Sequence, residues 1–218
     1  MNGTERPFAF FTASQLTRIG NQKAMNLCEL RGALEQCSDA SIFYHTFQSL
    51  GRYHFLTEGF SSDFAQWALA ACNRPALAEK LASLDIREYV SIADLRRDLI
   101  AEVGVYCDAH SPEVQRPAFE PFFFCEALEV TQPLGFEART LDEFRDGLAR
   151  LGHASFHYHF ITSRLRLHLR TNDFSAWMAG TLGREKLAQQ VNRIDIYTNT
   201  IEGAQRKLLA LIDAELGR

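Results

Sequence analysis

Two histidines in this chain each follow a tyrosine and precede a serine and an arginine at helical spacing. Tyr44-His45 leads to Ser49 and Arg52, and Tyr158-His159 leads to Ser163 and Arg166. On a helix turning about 100° per residue, such positions fall within one narrow stripe. Arg170 extends the second stripe by another turn. The flanking residues are largely apolar, with Ile42, Phe47 and Tyr53 in one case and Phe156, Phe160, Ile161 and Leu167 in the other. A His-Ser-Arg line in such surroundings belongs to a buried polar network or lines a pocket.

An aspartate follows each stripe, at Asp63 and Asp173, where the sequence opens another helix. Three chemistries fit these residue types. The arginine can pair with the aspartate in a forked bond and serve the fold alone. The arginine and the free N–H groups of the helix start can instead hold an anion, with Tyr44 and Tyr158 as further donors. In the third, His159 acts as general acid or base and Asp173 orients it or holds a metal, since histidine titrates near neutrality.

A ready-made metal chelate is not expected. His54 and His168 also match, but nine positions along a continuous helix turn them away from His45 and His159. Zinc wants three or four convergent ligands. There is no G-x-S-x-G motif, no glycine-rich phosphate loop and no recognisable nucleophilic cysteine. Ser49 and Ser163 lie mid-helix, where serine usually bonds back to the chain. No metal or cofactor is therefore expected.

The elements that must position these residues are written twice. Phe8-Ala9-Phe10-Phe11-Thr12-Ala13 and Phe122-Phe123-Phe124-Cys125-Glu126-Ala127 are aromatic-rich, follow Pro7 and Pro121, and read as short buried strands that pair with each other. Ala24, Leu27, Leu30, Leu34 and Cys37 then recur at helical spacing, matched by Ala138, Leu141, Phe144, Leu148 and Leu151. Ser41 and Ser155 are placed to cap the helices carrying the Tyr-His pairs. Asp63-Phe64-x-x-Trp67 and Asp173-Phe174-x-x-Trp177 open a third helix, its tryptophans serving as packing anchors. Pro75 suits the first turn of a fourth helix, Asp85 and Asp195 the turns that follow, and Ser91-x-x-Asp94 a capping box opening a fifth.

These readings give a mainly α fold (α+β, with one short strand per repeat) made of two tandem helical repeats related by a pseudo-two-fold axis. Residues 7–106 form repeat 1, a strand plus about five helices. Residues 107–120 form a proline-bearing linker, and 121–217 repeat 2 in the same order. At 218 residues and 46% hydrophobic, with 17 Phe, the chain can bury a substantial core. Its formal charge of −4 argues against nucleic acid, and no apolar run is long enough to cross a bilayer. Five cysteines without a C-x-x-C pair, in a chain that starts without a signal pattern, read as reduced thiols in a cytoplasmic protein.

The order of aromatic strand, S-x-x-Y-H, N-D-F-x-x-W and I-D or L-D, given twice, resembles a bacterial family of internally duplicated domains of unknown function. Ser155-x-x-Tyr158-His159, Arg164-Leu165-Arg166-Leu167 and Asn172-Asp173-Phe174-x-x-Trp177 match it best. The first copy departs at Ser62, where the pattern has Asn, and at Gly51-Arg52-Tyr53. The resemblance implies duplication and no particular chemistry. The expected function is binding or regulation, with a small anionic metabolite or a protein partner held where the duplicated domains meet. The ligand-binding candidates are Tyr44, His45, Ser49, Arg52, Tyr158, His159, Ser163, Arg166 and Arg170. The alternatives are a His/Asp-dependent, metal-assisted hydrolase or transferase using His159 and Asp173, and a structural adaptor presenting an apolar surface.

Overall fold

Strand β1 (Phe8–Ala24) and strand β2 (Phe122–Ala138) form one two-stranded sheet in a computed structural model that describes residues 6–48, 60, 62–195 and 199–218. Side-chain bonds join Gln15 to Glu129 and Arg18 to Glu126, so numbers fall on one strand as they rise on the other and the pair is antiparallel. Gly20 permits a close approach, because a Cβ there would stand 2.8 Å from the Phe124 carbonyl oxygen.

The chain forms two compact units, one of Leu16–Leu128 and one of Met1–Gln15 with Glu129–Arg218. This corrects the expected fold class of two tandem helical repeats related by a pseudo-two-fold axis, each with its own short strand. Each strand has 17 residues, and each unit holds one end of both. The start of β1 packs against Phe144 and Phe174 in the later part of the chain, and the start of β2 against Phe64 in the earlier part. Composition hid the strand length, since Ser14–Ile19 is exposed throughout and shows no alternation. A strand sequence also does not state which helices will cover it.

In the unit Leu16–Leu128, α1 (Leu27–Gln36) is capped by Asn26, which accepts from the Glu29 N–H at 2.9 Å. Helix α2 (Asp39–Phe43) starts at Ser38 rather than Ser41, because Ser38 Oγ accepts the Ser41 N–H at 3.1 Å. It leads into a wide π turn, Tyr44–Gln48. Helix α3 (Asp63–Ala70) and α4 (Pro75–Ala82) follow, with Pro75 in the first turn. Ser91 caps α5 (Ile92–Ala109) by accepting from the Asp94 N–H, and α5 continues past Gly104 into the stretch expected as irregular chain. Phe122 and Phe124 of β2 meet Phe64 of α3 at centroid distances of 5.1 and 6.1 Å.

In the other unit, α6 (Leu141–Ala149) opens with a complete capping box between Thr140 and Glu143. Helix α7 (His153–His157) begins after Gly152, with Ser155 inside it, and passes into a second π turn, Tyr158–Thr162. Then come α8 (Ser163–Arg166), α9 (Asp173–Gly180), α10 (Glu185–Asn192) and α11 (Ile201–Leu216). Phe8 and Phe10 of β1 lie 5.1 and 5.5 Å from the Phe144 ring. Gly147 makes room for them, since a Cβ there would stand 2.6 Å from the Phe10 ring. Phe10, Phe144 and Phe174 are 1%, 0% and 0% exposed, and burying such a ring contributes about 2–3 kcal/mol. Among the described residues, no helix is long and apolar enough to cross a membrane.

Candidate functional site

The wide turn after α7 places the His159 ring beside the strand. The Phe11 N–H of β1 donates to His159 Nε2 at 2.9 Å. An acceptor Nε2 carries no proton, so the ring's hydrogen is on Nδ1, which faces Asp173 Oδ2 at 2.8 Å. The side chain of His159 is 3% exposed, and Phe8, Tyr158 and Phe174 surround its ring at centroid distances of 4.9 to 5.5 Å. Both nitrogens are thus engaged inside an aromatic cage.

Asp173, the first residue of α9, takes a second partner. Arg166 forks onto it, Nη1 to Oδ1 at 2.7 Å and Nη2 to Oδ2 at 2.6 Å. Burial pushes the Asp173 carboxyl up, but the bonds from His159 and Arg166 outweigh it and hold the group below the usual carboxylate range. The same bond raises Arg166 beyond its ordinary value. Arg166 remains half-exposed, its guanidinium 5.9 Å from the Tyr158 ring centre. Ser163 donates to the His159 carbonyl at 2.5 Å and accepts the Asp173 N–H at 3.2 Å, tying the two helices together. Asn172 caps α9 through the Ser175 N–H and donates to Asn192 of α10.

The unit Leu16–Leu128 holds a matching set. The Cys125 N–H of β2 donates to His45 Nε2, and His45 Nδ1 meets Asp63 Oδ2, both at 2.8 Å. The Tyr44 hydroxyl bonds Thr17 Oγ1 at 2.9 Å. Ser62, in the place of Asn172, makes no side-chain capping bond. Ser49, Arg52 and His54 lie outside the described residues.

Helix α8 ends at Arg166, and the chain then enters an unusual turn in which His168 and Leu169 have φ of 53° and 61°. Consecutive non-glycine residues in the left-handed region are uncommon and cost about 1–3 kcal/mol each. The turn breaks the continuous helix assumed for His168. It also leaves Arg170 exposed three residues before Asp173. Among the described residues, no three of His, Cys, Asp and Glu are placed to hold a metal.

Sequence reasoning missed the strand amides of Phe11 and Cys125, because every residue has an N–H and nothing marks the one a ring will claim. It also gave no sign that burial would act on two basic side chains. Burial lowers His157 to about 4, and Thr162 Oγ1 lies 3.4 Å from its Nδ1. Burial lowers Arg164 to about 10, and its Nε donates to the Phe160 carbonyl. Trp67 and Trp177 prove to be tethers as well as packing anchors, donating to the carbonyls of Glu120 and Arg6 at 2.8 and 2.9 Å.

Residues 5–213 match a family described as a family of unknown function, DUF5752. The chain belongs to this family. It is also similar to a solved structure, that of OrfY from Thermoproteus tenax, with 27% identity and a TM-score of 0.84, over 98% of this chain and 97% of that one. Comparison with curated proteins returns no match. A likeness covering nearly the full length of both chains means that both units and the two-stranded sheet belong to the shared fold. It assigns no reaction.

Proposed function

We propose that this protein binds rather than transforms, that its two His–Asp pairs serve the fold, and that its ligand is a small anion held by the arginine-bearing segment Arg164–Arg170. One observation carries the reading: His159 has both ring nitrogens engaged, one by a strand amide and one by Asp173. A general base needs a free nitrogen facing its substrate, so the hydrolase or transferase reading loses its main residue. The cationic edge is what faces incoming molecules. Arg166 is half-exposed and Arg170 exposed. Arg164 is a desolvated cation without a bonded carboxylate among the described residues. Three guanidinium groups within seven residues, against the single carboxylate of Asp173, favour phosphate or carboxylate ligands. Tyr158 flanks this edge, its ring centre 5.9 Å from the Arg166 guanidinium. Descent by internal duplication accounts for the matching His–Asp–amide arrangement of the two units, and a cytoplasmic setting suits a chain whose five cysteines are all free.

Pyrophosphate serves as the probe. Millimolar pyrophosphate is expected to raise the Tm of the wild type by a few degrees at fixed ionic strength, and Arg170→Gln to lose at least half of that shift. An unmoved wild type, or a variant shifted as far as the wild type, overturns the anion site. One observation favours a protein partner instead. Phe119 is 88% exposed, although its backbone is held by the Ala71 carbonyl at 2.8 Å. A fixed, solvent-facing aromatic is the kind of group that anchors an interface.

A further inference from the structure

Helices α1 and α5 run antiparallel, as their contacts show. Arg96, early in α5, donates to the Leu34 carbonyl near the end of α1, at 2.5 Å. One level further along, the Arg31 guanidinium covers Gly104, 3.4 Å from where a Cβ would stand, and reaches Asp108 at 3.8 Å. Gly104 lets the guanidinium lie directly on the α5 backbone. Three residues back from Arg31 is Cys28, and three residues on from Gly104 is Cys107. The next helical turn therefore sets one thiol against the other. Cys28 is exposed and Cys107 buried.

We propose that Cys28 and Cys107 form a peroxide-responsive thiol pair that closes into a disulfide bridging α1 to α5. Cys28 is the attacking thiol. It is the exposed member of the pair, so a hydroperoxide reaches it first. Cys107 is the resolving thiol. Burial, reinforced by the neighbouring Cys28 thiol, pushes it up to about 12, so it stays protonated while Cys28 reacts. In the first step the Cys28 thiolate attacks a hydroperoxide oxygen, the O–O bond breaks, and Cys28 becomes a sulfenic acid as hydroxide (or alkoxide) leaves. In the second the Cys107 sulfur attacks the sulfenic sulfur. The S–S bond forms, and the displaced oxygen leaves as water with the Cys107 proton. Two thiols are oxidised and one hydroperoxide is reduced. The other three cysteines lie elsewhere: Cys37 is buried against Arg96, burial raises Cys72 to about 11, and the Cys125 thiol on β2 donates to the Phe123 carbonyl.

The full-length protein, reduced and desalted, is titrated with hydrogen peroxide, then denatured for thiol counting and peptide mapping. The five free thiols are expected to fall to three, with one crosslinked peptide joining Cys28 to Cys107 that dithiothreitol releases. Cys107→Ala should stall at a Cys28 sulfenic acid trapped by dimedone, and Cys28→Ser should form neither crosslink nor adduct. Circular dichroism before oxidation checks that both variants fold. Retention of all five thiols in the wild type overturns the proposal. So does a crosslink mapped to Cys37, Cys72 or Cys125, or a dimedone adduct at Cys28 as abundant in the wild type as in Cys107→Ala.

Discussion

A strand amide that points away from its only neighbouring strand must find an acceptor or lose about 1–3 kcal/mol on burial. Phe11 and Cys125 find theirs in an imidazole nitrogen, and the other nitrogen is settled by an aspartate. The sequence showed the histidine, the serine and the arginine at helical spacing, and the aspartate at the start of the next helix. It could not show the amide, so the stripe remained open to a structural role, an anion and catalysis alike. His157 offers a test at this scale. Its folded value near 4 lies below the ordinary 6.5, so between those values the unfolded chain takes up a proton that the folded chain refuses. Stability from this group is complete above pH 6.5 and is lost as pH falls toward 4. Urea denaturation across that window should show a loss on the order of 1–3 kcal/mol. His157→Phe, which copies Phe43 at the matching position, should flatten that slope. An unchanged slope in the variant would assign the loss to other groups.

The helices were legible because their stripes and caps are local: Asn172, Ser91 and Pro75 sit where helix chemistry requires. The π turns at Tyr44 and Tyr158 were not. A single wide turn leaves no periodic trace, yet it carries the histidine whose ring accepts the strand amide. Helix starts were misread by three residues at Ser41 and Ser155 because Ser38 and Gly152 also suit a helix start. Two glycines separate packing from propensity at this scale. Gly147→Ala drives a methyl group to 2.6 Å from the Phe10 ring and should lower stability by about 1–3 kcal/mol. Gly32→Ala, in α1, meets nothing within 4 Å and should raise stability by about 0.5–1 kcal/mol. Chemical denaturation of the two variants reads the difference, and equal effects would mean that Phe10 can give way.

The unit Glu129–Arg218 is completed by a strand end from a distant part of the sequence, Phe8–Gln15, whereas Phe122–Leu128 closes a unit that is continuous in sequence. Matching one motif against another compares segments with each other and does not say which segment packs on which. Removing residues 1–15 should therefore damage the unit Glu129–Arg218, at the opposite end of the chain. Trp177 loses its acceptor at Arg6, and His159 loses the Phe11 amide. Hydrogen exchange on the truncated protein should show α6 and α9 deprotected while α1 and α5 keep their protection. Loss confined to α1 and α5 would mean the assignment of strand to unit is wrong. The same arrangement gives the protein a peculiar birth order. A ribosome delivers Phe8 and Phe10 well before the helices Leu141–Ala149 and Asp173–Gly180 that cover them. Those rings must wait, uncovered, while the whole unit Leu16–Leu128 is made, and in that interval they are what a chaperone would hold.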